Sequence, residues 1–382
     1  MNETADFDRD LLQELIKNLE LDLIIVSSRH NLRYLTGGYC YPLFQWDSFT
    51  RGSRYLPFLG MPAGRFDESF FIGRPGENLA AKEFGLWVED CVEAKSINIA
   101  SAVETLAGVL HERGFARSRI GFEMADLPSE AYVALGRALP GVEFADITDP
   151  MDTMRAVKTE REIEIVRKGT LENLAGVTTA LKGARPGMST SDVANTVAEE
   201  FGRRGLHFLY ALVCAGPSYF RIASDKRRLE NGRILHIDSG GLTEGYVVET
   251  CRTGSLGSPS PQADELLGLC TELERYMLPY FRPGAVASEI QKAADSYIEG
   301  LGVPFEGKFI AHGIGMVHHE KPVVSRTSSE VLKAGMVLSL EMEFRSPDTG
   351  HVKTEDMVVI RTDDCEILSP GGSDWTVSRT PG

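Results

Sequence analysis

Four strand-like apolar runs in the second half of the chain carry acidic residues, and few folds tolerate that. The runs are Ile234 to Asp238, Tyr246 to Thr250, Val337 to Phe344 and Asp356 to Ile360, all rich in branched residues. Asp238, Glu249, Glu341 and Glu343 lie within them, and Glu355 heads the last. An ionised side chain in such a run either reaches solvent or finds a partner, because an unpaired buried charge is costly. Residues two apart on a strand share a face, so Glu341 and Glu343 point the same way. Cation binding, a shared proton and plain solvent exposure each account for two like charges there. Asp238 and Glu249 face each other if Ser239-Gly240-Gly241 turns the chain back into Gly245 to Glu249; an ordinary surface hairpin is the alternative.

Helix signals surround these strands. Thr159 and Glu162 have the spacing of a capping box and open a helix that runs towards Gly183 and Pro186. A second helix follows Ser189 to Ser191, and two more are expected at Pro261 to Phe281 and Ala287 to Glu299, the first ended by Pro283-Gly284. Helices and strands in runs predict an α+β domain over residues 151–382. Residues 1–150 read as a smaller α/β domain, with a boundary near Asp149-Pro150. Within it a helix precedes strands at Leu21 to Ser27 and Asn31 to Thr36, a helix covers Ile97 to Arg113, and a buried strand starts at Ile120. Tyr39 to Phe71 is dense in aromatics without a period and reads as mostly irregular. Its rings suit a core or dimer contact, or a lid over a small substrate with Trp46 facing a cationic group.

With 382 residues, the chain is long enough for two cores without staples. Its 55 acidic residues outnumber 40 basic ones, and the resulting charge of -15 repels phosphate backbones and anionic lipid, so neither nucleic acid nor membrane is expected as a partner. Six scattered cysteines without a CxxC pair suit reduced thiols. The acidic first ten residues carry no secretory pattern, and no apolar run reaches the roughly 18 residues of a membrane span, so a cytoplasmic protein is expected.

His312 stands in Ala-His-Gly-Ile-Gly-Met, where glycines let the backbone approach a bound group closely; a turn histidine is the plainer reading. His319 follows seven residues later. Asp238, Glu249, His312, Glu341 and Glu355 together offer four carboxylates and one imidazole, an oxygen-rich set suited to divalent manganese, iron, cobalt or zinc. Two ions sharing such ligands activate a water for attack on an amide carbonyl or other polarised carbon, with a remaining acid or histidine carrying protons.

This order of Asp, an acid eleven later, His-Gly-Ile-Gly, Gly-Met-Val followed by Glu, and a final Glu-Asp resembles the pita-bread hydrolases, which include methionine aminopeptidase, Xaa-Pro aminopeptidase, prolidase and creatinase. Asp22 to Gly37 is similar to the amino-terminal domain of the Xaa-Pro aminopeptidase, prolidase and creatinase branch. The resemblance implies a pita-bread catalytic domain, with Asp238 and Glu249 as metal ligands on a hairpin, His312 as the histidine ligand, Glu341 as the next carboxylate and Glu355 as the bridging one. It places His319 against the substrate and implies a homodimer. It also matches Arg252 to the arginine of the family's Asp-x-Thr-Arg-Thr.

Three positions depart from the peptidase pattern. Glu249 replaces an aspartate, Phe220 and Arg221 stand where a second histidine is expected, and Lys353 replaces an arginine two positions before the final glutamate. Arg221 then binds a substrate carboxylate in a fork or lies solvated. The leading expectation is a metal-dependent hydrolase of a C–N bond, by default in an Xaa-Pro dipeptide or short peptide, using one or two ions. The alternatives are a metal-independent enzyme of the creatinase or ectoine-hydrolase kind or a dimethylsulfoniopropionate-type lyase, with Glu249 or Glu341 as base or nucleophile, and a non-catalytic binding module.

Overall fold

The computed structural model describes residues 7–39, 54–372 and 375–378, and the chain divides into two compact units, Met1–Met154 and Arg155–Gly382. The first unit runs α1 (Arg9–Asn18), β1 (Leu23–Val26), α2 (Arg29–Leu35), β2 (Phe58–Pro62), β3 (Phe70–Gly73), α3 (Glu77–Phe84), β4 (Asp90–Glu93), α4 (Ile99–Glu112), β5 (Arg119–Phe122), α5 (Ser129–Ala138) and β6 (Glu143–Asp146). Its mixed sheet has the order β4-β3-β2-β1-β5-β6. Leu23, Ile25, Phe58, Phe70, Ile120 and Phe122 line a core with α4 and α5. Helix α6 (Thr148–Ala156) contains the junction between the units, so Asp149-Pro150 lies in its first turn.

One reading of this region needs correction. The segment Asn31 to Thr36 is helical, within α2, where a strand was expected. Ser28 caps the helix by accepting from the Asn31 amide, and the buried Glu123 carboxylate accepts from the Ser28 amide at 2.8 Å and from the Asn31 side chain. This acceptor comes from 92 residues further along the chain. A local reading of Leu32, Tyr34 and Leu35 therefore has no access to it. The stretch expected to be irregular contains β2 and the start of β3, while Trp46 lies outside the described residues.

The second unit contains α7 (Glu160–Gly183), α8 (Thr190–Arg203), β7 (His207–Ala215), β8 (Ile234–Thr243), β9 (Tyr246–Leu256), α9 (Pro261–Met277), α10 (Ala287–Gly300), β10 (Glu306–Gly313), β11 (Glu320–Val323), β12 (Val337–Ser346), β13 (Gly350–Ile360), β14 (Cys365–Ile367) and β15 (Thr376–Ser378). The Thr159–Glu162 capping box is formed, and Ser189 caps α8. The sheet follows β11-β10-β12-β13-β9-β8-β7, with β14 beside β13 and β15 beside β9.

Strand periodicity gives this sheet two chemistries. On β12, Leu338, Leu340, Met342 and Phe344 pack with Leu266, Cys270 and Leu273 of α9, which leaves Ser339, Glu341 and Glu343 for the other face. A second core joins α7 and α8 to Leu235, Ile237 and Val248 of β8 and β9. The β8–β9 turn falls at Glu244-Gly245, both in the left-handed region with φ of 47° and 94°. Ser239-Gly240-Gly241 therefore continues the strand instead of turning it. Gly240 is required there because a Cβ would lie 2.4 Å from the Tyr210 ring.

Among the described residues no helix is long and apolar enough to cross a membrane. Cys91, Cys214, Cys251, Cys270 and Cys365 are free thiols, and Cys40 lies outside the described residues.

The apolar face of β12 conceals one polar spot. Asp356 pairs with Arg252 at 2.6 Å, and Glu274 of α9 is pushed up to about 8 by burial and by the neighbouring Asp356 carboxylate. A carboxyl raised in the folded state contributes stability that is complete below its unfolded value near 4.5 and is lost as pH climbs through about 8. Denaturant titrations of the wild type and Glu274→Gln at pH 5 and pH 8.5 should therefore diverge, with the variant gaining relative stability at the higher pH. Leu340→Ala, at a fully buried position of the same core, should cost about 2–5 kcal/mol in such a titration.

Candidate metal and active centre

Sheet register brings the predicted acids together. Glu341 pairs with Glu355, Glu355 with Cys251, and Cys251 with Asp238, so one row crosses β12, β13, β9 and β8 on a single face. Glu249, two residues from Cys251, shares that face. His312 on β10 sits opposite Ser339, next but one to the partner of Glu341. All five residues are buried, with exposures from 1% at Glu249 and Glu355 to 8% at Glu341.

The side chains form two adjoining groups. In one, the His312 Nε2 lies 3.4 Å from Glu249 Oε1 and 3.6 Å from Glu341 Oε1. Tyr210 donates from its hydroxyl to Glu249 Oε2 at 2.7 Å, and His318 Nε2 contacts the same oxygen. Ser339 donates to Glu355 Oε1 at 2.8 Å. In the other group, the Lys353 ammonium lies 2.6 Å from Asp238 Oδ2, 2.5 Å from Glu341 Oε2 and 3.2 Å from Glu355 Oε2. Arg221 also engages Asp238 Oδ2 through Nη2.

Burial and charge act against each other across these groups. Burial pushes the Glu355 carboxyl well up and the Asp238 carboxyl up, the latter against the pull of Lys353 and Arg221. Glu249 is held down in spite of burial by His318, His312 and Tyr210, and Glu341 is held far below the carboxylate range by His312 and Lys353. His312 is raised, although burial alone would lower it, because Glu341 and Glu249 stand beside it.

Several expected residues take different parts. His319 stacks on His312, with ring centroids 3.7 Å apart and planes at 12°, while its neighbour His318 makes the contact to Glu249. His318 and Tyr210 were both missed. The His318-His319 pair signals an imidazole near the site but not which ring turns inward, and Tyr210 lies on a strand with no such signal. Arg221 pairs with Asp238 instead of presenting a free fork to a substrate carboxylate. Phe220 is 44% exposed with the Arg227 guanidinium 5.5 Å over its ring. Gly313 permits close approach to protein and not to a ligand, since a Cβ there would meet the Lys321 carbonyl oxygen at 2.2 Å. Arg252 lies behind the row, donating to the Glu355 and Cys251 carbonyls and pairing with Asp356.

Buried polar atoms test whether a metal fits. Glu249 Oε1 and His312 Nε2 make no hydrogen bond, Glu355 Oε2 faces the Lys353 ammonium at 3.2 Å, and ligand atoms of these three residues all lie within 4.8 Å of one another. Two carboxylates and an imidazole around unpaired atoms fit a divalent transition-metal ion. Asp238, Glu341 and Glu355 form a second group within the same limit.

Comparison with known proteins gives this site its kinship. Residues 164–362 match metallopeptidase family M24, and residues 9–157 match the creatinase/prolidase N-terminal domain. The chain belongs to metallopeptidase family M24. It is 25% identical over 359 residues to the uncharacterized peptidase YqhT of Bacillus subtilis, covering 91% of this chain and 94% of that one. It is 30% identical over 235 residues to the Xaa-Pro dipeptidase of Pyrococcus furiosus, covering 59% and 67%. An Xaa-Pro dipeptidase structure from Bacillus anthracis superposes with a TM-score of 0.82 at 22% identity, over 96% of this chain and 98% of that one, and shares the pita-bread fold. An M24 chain is an enzyme of the peptidase-hydrolase type, and the family implies a divalent metal.

Tyr210 orients the carboxylate that leaves Glu249 Oε1 open, which makes it a support for a ligand without being one. Tyr210→Phe should weaken manganese binding about 10-fold or more in calorimetric titrations, with an unchanged circular dichroism spectrum.

Proposed function

We propose that this M24 enzyme hydrolyses the amide bond of Xaa-Pro dipeptides or short Xaa-Pro peptides with the help of a divalent metal. The observation that carries the metal-dependent part is the buried group of Glu249, His312 and Glu355, in which Glu249 Oε1 and His312 Nε2 make no hydrogen bond. The Xaa-Pro assignment draws on the named activity of the Pyrococcus furiosus relative.

An ion held by the trio supplies Lewis acidity towards a carbonyl group and towards water. The chain's own groups do the rest. His318, with 43% of its side chain exposed and its Nε2 against Glu249 and Tyr210, is placed to pass a proton between the buried carboxylate and a substrate. Burial, and then the neighbouring His312 and His318, lower His319, which keeps that ring neutral and able to accept a hydrogen bond over a wider pH range. Lys353 and Arg221 hold positive charge over the acidic row, where it stabilises negative charge that develops on a reacting group. A homodimeric, cytoplasmic enzyme is part of the same proposal.

A metal-independent reaction of the creatinase or lyase kind is favoured by one observation. A lysine ammonium already sits among three of the acids, leaving Glu249, bonded to His318, as a candidate base.

Turnover of an Xaa-Pro dipeptide panel with manganese, after exhaustive chelation, and in His312→Ala separates the two. Metal-dependent cleavage with a loss of about 10²-fold or more in kcat/KM for the variant is expected. Full activity in the chelated protein, or no cleavage of any Xaa-Pro substrate, would sink the proposal.

A further inference from the structure

We propose that the Lys353 ammonium is a built-in cation that holds the second ion position of this site, so that the protein takes up a single divalent ion at Glu249, His312 and Glu355. The inference rests on the metal-dependent reading above but not on the Xaa-Pro substrate.

Two acidic groups lie side by side and share Glu355, yet they differ in what fills them. In the Glu249, His312 and Glu355 group, Glu249 Oε1 and His312 Nε2 make no hydrogen bond, and only the shared Glu355 Oε2 faces the Lys353 ammonium, at 3.2 Å. In the Asp238, Glu341 and Glu355 group, a single nitrogen lies within 3.2 Å of an oxygen of every member. An ammonium is compact and carries three donors, which matches three carboxylates converging from three strands. Arg221 adds a second fixed cation on the Asp238 oxygen that Lys353 already contacts.

Burial makes this arrangement hard to undo. The Lys353 side chain is 2% exposed, so its ammonium leaves the carboxylates only by becoming an unpaired buried charge. A second divalent ion at Asp238, Glu341 and Glu355 would stand against that ammonium at contact distance, where like charges repel strongly.

The arginine that the peptidase pattern carries at position 353 is a planar fork, whereas a lysine there delivers a point charge into the cavity.

Metal-free protein titrated with manganese, followed by elemental analysis and electron paramagnetic resonance, tests this without reference to turnover. The wild type should take up one equivalent and give the spectrum of an isolated ion. Lys353→Ala, with its fold checked by circular dichroism, should accept a second equivalent and show a spin-coupled pair. Two equivalents in the wild type, none at all, or a folded Lys353→Ala that stays at one would each overturn the proposal. If the variant does not fold, the wild-type stoichiometry and spectrum decide alone. One equivalent without cleavage of any Xaa-Pro peptide would support the single-ion site while removing the substrate assignment.

Discussion

Four carboxylates withdrawn from water on one face of a sheet impose the main constraint on this protein. Burial penalises their charged forms, and at Glu355 and Asp238 it prevails. At Glu249 and Glu341, contacts to imidazole and ammonium reverse it. The cluster is therefore a set of acids whose ionisation depends on the positive charge delivered to them. Lys353, Arg221 and His312 deliver part of it, and the atoms of Glu249 and His312 that make no hydrogen bond mark where more is accommodated.

The scaffold that holds these groups in place is an ordinary amphipathic sheet. The alternation that sends Leu338, Leu340 and Met342 into the α9 core sends Ser339, Glu341 and Glu343 to the opposite face. A one-residue slip of β12 would put the acids among leucines, so the apolar core enforces the register on which the site depends. Support on the reverse side is also polar. Arg252 donates to the Glu355 backbone carbonyl and binds Asp356, fixing β13 from behind.

The three departures from the peptidase pattern bear on one arrangement. Glu249 carries a longer arm than aspartate and meets Tyr210 and His318 through one oxygen while the other faces His312. Arg221 and Lys353 converge on Asp238. A fold shared with dipeptidases thus carries two cations on one side of its acid row, and function follows from that local chemistry more than from the fold.

Much of this was legible in the chain itself. Strand alternation and the Thr159–Glu162 capping box depend on neighbours a few residues away, and the order of Asp238, Glu249, His312, Glu341 and Glu355 carries the family resemblance, so the sequence by itself determined the α+β character and the identity of the acids. Tertiary structure decided what distant partners control. Glu123 turned Asn31 to Thr36 into a helix, the Tyr210 ring kept Gly240 in its strand, and the path from Met316 to Glu320 chose His318 over His319 to face Glu249. The position of Lys353 was the most distant of these decisions, because an ammonium on a four-carbon stem goes wherever opposite charge is buried. That place exists only once β8, β12 and β13 lie in one sheet.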